Sequence, residues 1–133
     1  HNAKGNDMST RRSIHINGLK HLTAIPVASR IGPLLVSSVI MPYNPDTRDV
    51  PDGYAAQYTN IFRHVGEMLK AAGGDWRHVA KMEFWAASAD ARAACDVFWV
   101  EKFPDAESRP ARHTHVGGSG NVISASFMAY IAD

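Results

Sequence analysis

The stretch SRPARHTHVGGSGN, Ser108 to Asn121, gathers two arginines, a His-x-His pair and a glycine-rich run. Arg112, two residues after Pro110, carries a planar guanidinium suited to holding a carboxylate or phosphate by two parallel hydrogen bonds. The ordinary reading is a surface arginine in a salt bridge, and Arg109 shares it. His113 and His115 fall on one face of an extended strand, a spacing that can serve a metal, while Arg112 and Thr114 face the other way. Arginine and histidine pair are therefore not expected in one pocket. A metal needs a third ligand, and no HExxH or acidic-histidine cluster supplies one. The expectation is two hydrogen-bonded histidines, with no metal and no other cofactor.

Other candidates have simpler readings. VGGSGN lacks the GxxxxGK[ST] pattern and precedes a strand, so it offers no helix N-terminus to a phosphate and reads as a turn. Ser37 and Ser38 stand outside any GxSxG context. Glu83 shares a strand face with Lys81, which suggests a solvated or interface ion pair. Cys95 is the single cysteine, so an intrachain disulfide is excluded, and it reads as a small apolar residue on a helix.

The elements that must position these residues follow from periodicity. From Tyr54 to Ala72 the residues Tyr58, Ile61, Phe62, Val65, Met68, Leu69 and Ala72 make an amphipathic stripe, with Asp52 as a cap and Gly73-Gly74 as the stop. HVAKMEFWAA predicts a strand with Lys81, Glu83 and Trp85 opposite Ala80, Met82 and Phe84. A second helix opens at Ser88, buries Ala91, Ala94, Cys95 and Phe98, and closes before Pro104. ARHTHV and VISASFMAYIA are the last two strands, the latter with Ile123, Ala125, Phe127, Ala129 and Ile131 on one face. Upstream, LTAIPVAS and GPLLVSSVIMP predict two strands, and YNPDTRDVPDG a surface loop. The order β-β-α-β-α-β-β is an α+β plan with both helices on one face of a sheet, leaving the other face to a partner subunit.

The chain has 133 residues, room for one domain; residues 1–12 read as a tail, its opening HNAKGND as a leftover tag, and 13–133 as the domain. A net charge of +1 gives no general attraction to nucleic acid or anionic membrane, and no run is long and apolar enough for a span. A cytoplasmic setting fits the cysteine count.

From about Ile25 to Ala132 the chain resembles the YjgF/RidA (L-PSP) family. The resemblance rests on GPLLVSSVIMPYNPDTRDVP, AAQYTNIFRHVGEMLKAAGGDWRHVAKMEFW and RPARHTHV, which give a serine strand before a proline, an NP-x-T-x-x-VP loop, a helix ending in AAG and a PAR motif, in that order. It implies a chorismate-mutase-like fold assembled as a homotrimer with clefts between subunits. It also implies hydrolysis of reactive enamine/imine intermediates such as 2-aminoacrylate, releasing ammonia and a 2-oxo acid. Arg112 would clamp the substrate carboxylate, backbone groups at Ser38 and Val39 would orient it, and Thr114 would line the same site.

The chain departs from the family where the last strand usually carries a glutamate. Here SASFMAYIA places Met128 or Ala129 at that position, so Glu83 or Asp96 must supply any acid/base, with Glu83 the candidate catalytic residue. The first-strand aromatic is replaced by Val27, and the SGQ after the second strand by Ser38-Val39-Ile40. The leading expectation is a deaminase, or hydrolase, acting on a small carboxylate. The alternative is a non-catalytic ligand-binding or regulatory trimer. A ribonuclease or translation inhibitor, the family's older label, fits the charge poorly.

Overall fold

The computed structural model describes residues 10–132, so HNAKGND lies outside the described residues. One six-stranded sheet runs in the order β1-β2-β3-β6-β4-β5. Its strands are β1 (Arg12–Ile14), β2 (Ala28–Ile31), β3 (Leu34–Ser37), β4 (Val79–Ala86), β5 (Ala111–Val116) and β6 (Ser124–Tyr130). All neighbours are antiparallel except β4 and β5, which are parallel and joined by a helical crossover. The helices are α1 (Tyr54–Ala71), α2 (Ala89–Ala93) and α3 (Asp96–Lys102).

The stripe on α1 is buried as its spacing requires: Tyr58, Ile61, Phe62, Val65, Met68 and Leu69 all face the sheet core. The start differs from expectation. Gly53, not Asp52, is the N-cap, and no side chain caps the helix there. The stop is a Schellman turn: Gly73 donates to the Lys70 carbonyl at 3.1 Å, and Gly74 to that of Leu69 at 2.8 Å. Gly73 needs its freedom because φ is 87°. At Gly74 a Cβ would sit 2.7 Å from Ile131 Cδ1, so the helix end approaches β6 only with glycine there.

Three departures from the periodicity have local causes. Pro26 has no N–H for a ladder, so β2 starts beyond it, at Ala28 rather than Leu22. The single second helix is broken into α2 and α3 by a turn at Ala94 and Cys95. A bulge between Val79 and Lys81 leaves Ala80 exposed rather than on the core face with Met82 and Phe84. The polar β1 went unpredicted. It begins at Arg12, inside the segment assigned to the tail, and moves the domain boundary to include that residue.

One face of the sheet meets the helices. There Leu35, Met82, Phe84, Ala125, Phe127 and Ala129 join the helical stripe in a core with an aromatic centre. Phe84 stands edge-on to Tyr58 at 5.8 Å between centroids and stacks on Phe62 at 6.2 Å. The opposite face is bare: Ile31, Leu34, Trp85, Met128 and Tyr130 are 37–60% exposed. An apolar surface of this kind on a sheet is what a partner subunit would cover.

Candidate functional site

Arg112 is the second residue of β5 and lies opposite Met82, on the helix-covered face of the sheet. Its guanidinium is largely enclosed. Nη2 donates to Asp96 Oδ1 at 2.8 Å, and the guanidinium carbon sits 5.1 Å from the centroid of Trp99. Both partners come from α3, whose first residue is Asp96. The break at Ala94 and Cys95 thus delivers the start of α3 to the PAR arginine. Asp96 itself is 66% exposed at its side chain, while Arg112 is 18%.

Thr114 faces the same way, and its hydroxyl is buried without a hydrogen-bond partner among the described residues. Cys95 lies beside Arg112 and is fully buried. Burial pushes its thiol up to about 11, despite the nearby arginine. Arg109 holds backbone rather than a ligand; its Nε donates to the Phe103 carbonyl at 2.8 Å and ties down the loop after α3.

Ser38 and Val39 lie elsewhere. Ser38 donates its N–H to Val27 O at 2.9 Å and its hydroxyl to Pro26 O at 2.8 Å, while Val39 is half exposed. They follow β3, which is three strand steps from β5, on the order of 14 Å. One chain therefore does not bring Ser38 and Val39 to Arg112.

Glu83 is likewise separated from Arg112. It points to the bare face, opposite His113 on β5 and Ser126 on β6, so within one chain it is not the acid beside the arginine. That acid is Asp96. The two positions matched to the family glutamate carry no replacement: Met128 is on the bare face, and Ala129 is buried on the helix side. Glu83 instead meets the histidines. His115 Nε2 is 2.9 Å from Glu83 Oε2, and His113 Nδ1 is 4.0 Å from the same oxygen. The hydrogen bond from His115 is the main cause that holds the Glu83 carboxyl below its ordinary range, with Lys81 contributing. Trp85 stacks on His115 at 4.9 Å and 7°. The separation of arginine from histidines read from strand alternation holds; the acid missing from the histidine pair comes from the neighbouring strand.

Sequence reasoning passed over two further sets of residues. Gln57, Asn60 and His64, spaced i, i+3, i+7 on α1, are buried polar residues that fasten loops. Gln57 donates to Asn121 O and accepts from Ile123 N, both at 2.8 Å, which anchors the end of the glycine-rich turn. Asn60 donates to the Pro42 carbonyl at 3.0 Å, and His64 donates from Nε2 to Tyr43 O at 2.8 Å. Arg30 donates to the carbonyls of Gly32, Ala72 and Ile131, joining the β2–β3 hairpin to the C-terminal end of α1 and the end of β6. The α1 set had a signal, a polar row at helical spacing. Arg30 had none.

Comparison with known proteins extends the geometry. The family model described as Endoribonuclease L-PSP matches residues 22–117. Among solved structures, RidA from an Antarctic Psychrobacter is 22% identical, with a TM-score of 0.79 over 90% of this chain and 99% of that one. The YjgF gene product of E. coli is 21% identical, with a TM-score of 0.78 over 90% and 98% of the two chains. A Rid family protein of unknown function, YyfA from Yersinia pestis, is 18% identical, with a TM-score of 0.81 over 92% and 100%. No curated protein matches the chain by sequence. At these identities the structural likeness establishes the shared fold, and among the described residues no helix is long and apolar enough to cross a membrane. With the family model spanning most of the domain and the fold in agreement, the chain belongs to the Endoribonuclease L-PSP family, which the sequence resembled under its YjgF/RidA name.

Proposed function

We propose that the protein works as a homotrimer in which Arg112 anchors the carboxylate of a small imine- or enamine-bearing metabolite, and that it hydrolyses this compound to ammonia and a 2-oxo acid. The observation that carries the reading is the PAR-motif guanidinium held between Asp96 and Trp99. Only one of its donor nitrogens is engaged by Asp96, so others remain for a substrate carboxylate. Two features favour a site completed between subunits: Ser38 and Val39 are distant from Arg112 in one chain, and one sheet face is bare and apolar.

Asp96 takes the acid/base role here. An enamine first becomes the imine by gaining a proton at carbon and losing one from nitrogen. Water then adds to the C=N carbon while Asp96 accepts its proton and returns it to nitrogen. The hydroxyl proton of the resulting carbinolamine then passes through Asp96 to the nitrogen, and the C–N bond breaks as the carbonyl forms and ammonia leaves. A second reading, ligand binding without turnover, is favoured by one observation: the helix-side residues of β6 are Ala125, Phe127 and Ala129, with no acid among them. A net charge of +1 argues against RNA as substrate.

The test is ammonia release from enzymatically generated 2-aminoacrylate. Wild type is expected to exceed buffer, Arg112→Ala to return to the buffer rate, and Asp96→Asn to lose on the order of 10²–10⁴-fold. Full activity in Asp96→Asn would remove Asp96 from the mechanism. No acceleration by wild type, with 2-oxo acids still bound through Arg112, would replace the hydrolase with the binding trimer.

A further inference from the structure

The structure assigns a second, chemically different site to the bare face of the sheet: we propose that Glu83, His113 and His115 bind a divalent transition-metal ion of the zinc class. Three ligand atoms converge from two strands, and all lie within 4.8 Å of one another. The parallel register sets this up. Glu83 stands directly opposite His113, and Trp85 opposite His115, so one Glu83 carboxylate oxygen lies 2.9 Å from His115 Nε2 and 4.0 Å from His113 Nδ1.

A hydrogen-bonded pair alone explains Glu83 and His115 at 2.9 Å, but it leaves His113 unexplained. At 4.0 Å from the same carboxylate oxygen its Nδ1 is too far for a hydrogen bond. Yet its ring centroid is 4.0 Å from that of His115, so the two imidazoles converge instead of separating into solvent. Metal–ligand bonds of about 2.0–2.2 Å place tetrahedral ligands about 3.3 Å apart. Small side-chain rotations in three partly exposed residues bring the observed separations to that value.

The donor set decides the class of ion. Two neutral imidazoles and one carboxylate suit zinc and its neighbours, whereas magnesium and calcium take mainly oxygen donors. Stacking on Trp85 fixes the His115 ring plane. A groove of about 360 Å³ bordered by Trp85, His115, Gly117 and Val122 adjoins the cluster, so a fourth ligand has room to approach. Lys81 shares the face and opposes a cation, but its flexible stem lets the ammonium move into solvent. This site is on the opposite face from Arg112 and shares no residue with it; it lies on the face that the proposed homotrimer would cover, so metal uptake is measured separately from ammonia release.

The experiment uses the whole chain, unfolded with a chelator and refolded with Zn²⁺, so that access does not limit uptake. One zinc per chain is expected to survive gel filtration, measured by atomic emission. Co²⁺ in its place should give visible ligand-field bands. His113→Ala, His115→Ala and Glu83→Gln should each weaken Zn²⁺ binding by at least about tenfold, with unchanged circular dichroism. His78→Ala, which alters another histidine near an acid, should leave binding as it was. Uptake well below one per chain, or uptake that His113→Ala and His115→Ala do not affect, overturns the assignment.

Discussion

The two faces of the sheet carry the same strands to opposite ends. On the covered face, Phe84 and Phe127 lock into the α1 stripe, and the one charged residue of β5, Arg112, is enclosed by α3. On the bare face, the intervening residues Lys81, Glu83, Trp85, Ser126 and Met128 stay partly open to water. Alternation along β4 and β6 makes both surfaces at once, so stability and surface chemistry are written into neighbouring positions of one strand. The covered face holds the fold and presents one arginine at its margin. The bare face contributes little to the monomer and is free to assemble or to bind.

Adjacent substitutions on β4 give the strongest break between the two. Phe84→Ala removes a fully buried ring from the aromatic centre and should cost about 3–5 kcal/mol in urea unfolding. Trp85→Ala, one residue on, should cost about 1 kcal/mol or less to the monomer. Equal losses at both positions would mean that the bare face is part of a second core.

Assembly sharpens the contrast. Leu34 and Tyr130 are directly opposite each other on the bare face. The double change Leu34→Lys with Tyr130→Glu keeps a complementary cross-strand pair while erasing the apolar surface. For the proposed homotrimer, sedimentation equilibrium should show the mass fall from three chains to one, with the circular dichroism spectrum preserved. A trimer that survives the change assembles through another surface.

The smallest effect separates the histidines of the two faces. His64 is buried on α1, and burial holds its pKa below the ordinary 6.5. The folded state therefore resists a proton that the unfolded chain accepts. Stability should be full above 6.5 and decline as pH falls from there through the lower folded value. Urea midpoints measured on either side of 6.5 check this, and His64→Gln should flatten the acid slope. An unchanged slope in that variant would place the acid sensitivity at other groups.

Some of this arrangement was legible from the chain alone. The α1 stripe, the Gly73-Gly74 stop, β5, and the alternation of β6 all depend on residues within a few positions of one another, where periodicity reports burial directly. The order of the four motifs likewise carried the family. Strand alternation even placed Arg112 and the histidines on opposite faces. Asp96 and Glu83 were both visible as candidate acids, and the one favoured, Glu83, is not brought to Arg112 within one chain, because a residue's face says nothing about which strand or helix lies beside it.

Those neighbours were decided by tertiary structure. The parallel register of β4 on β5 puts Glu83 among His113 and His115, across 30 or more positions of sequence. The break between α2 and α3 lets Asp96 and Trp99 close over Arg112. Arg30 reaches three carbonyls that belong to a hairpin, a helix end and the last strand. Sequence determined which residues turn inward, because burial repeats with the local period of helix and strand. Only the packed sheet determined which of them meet, because register and crossover are fixed by contacts between segments far apart in the chain.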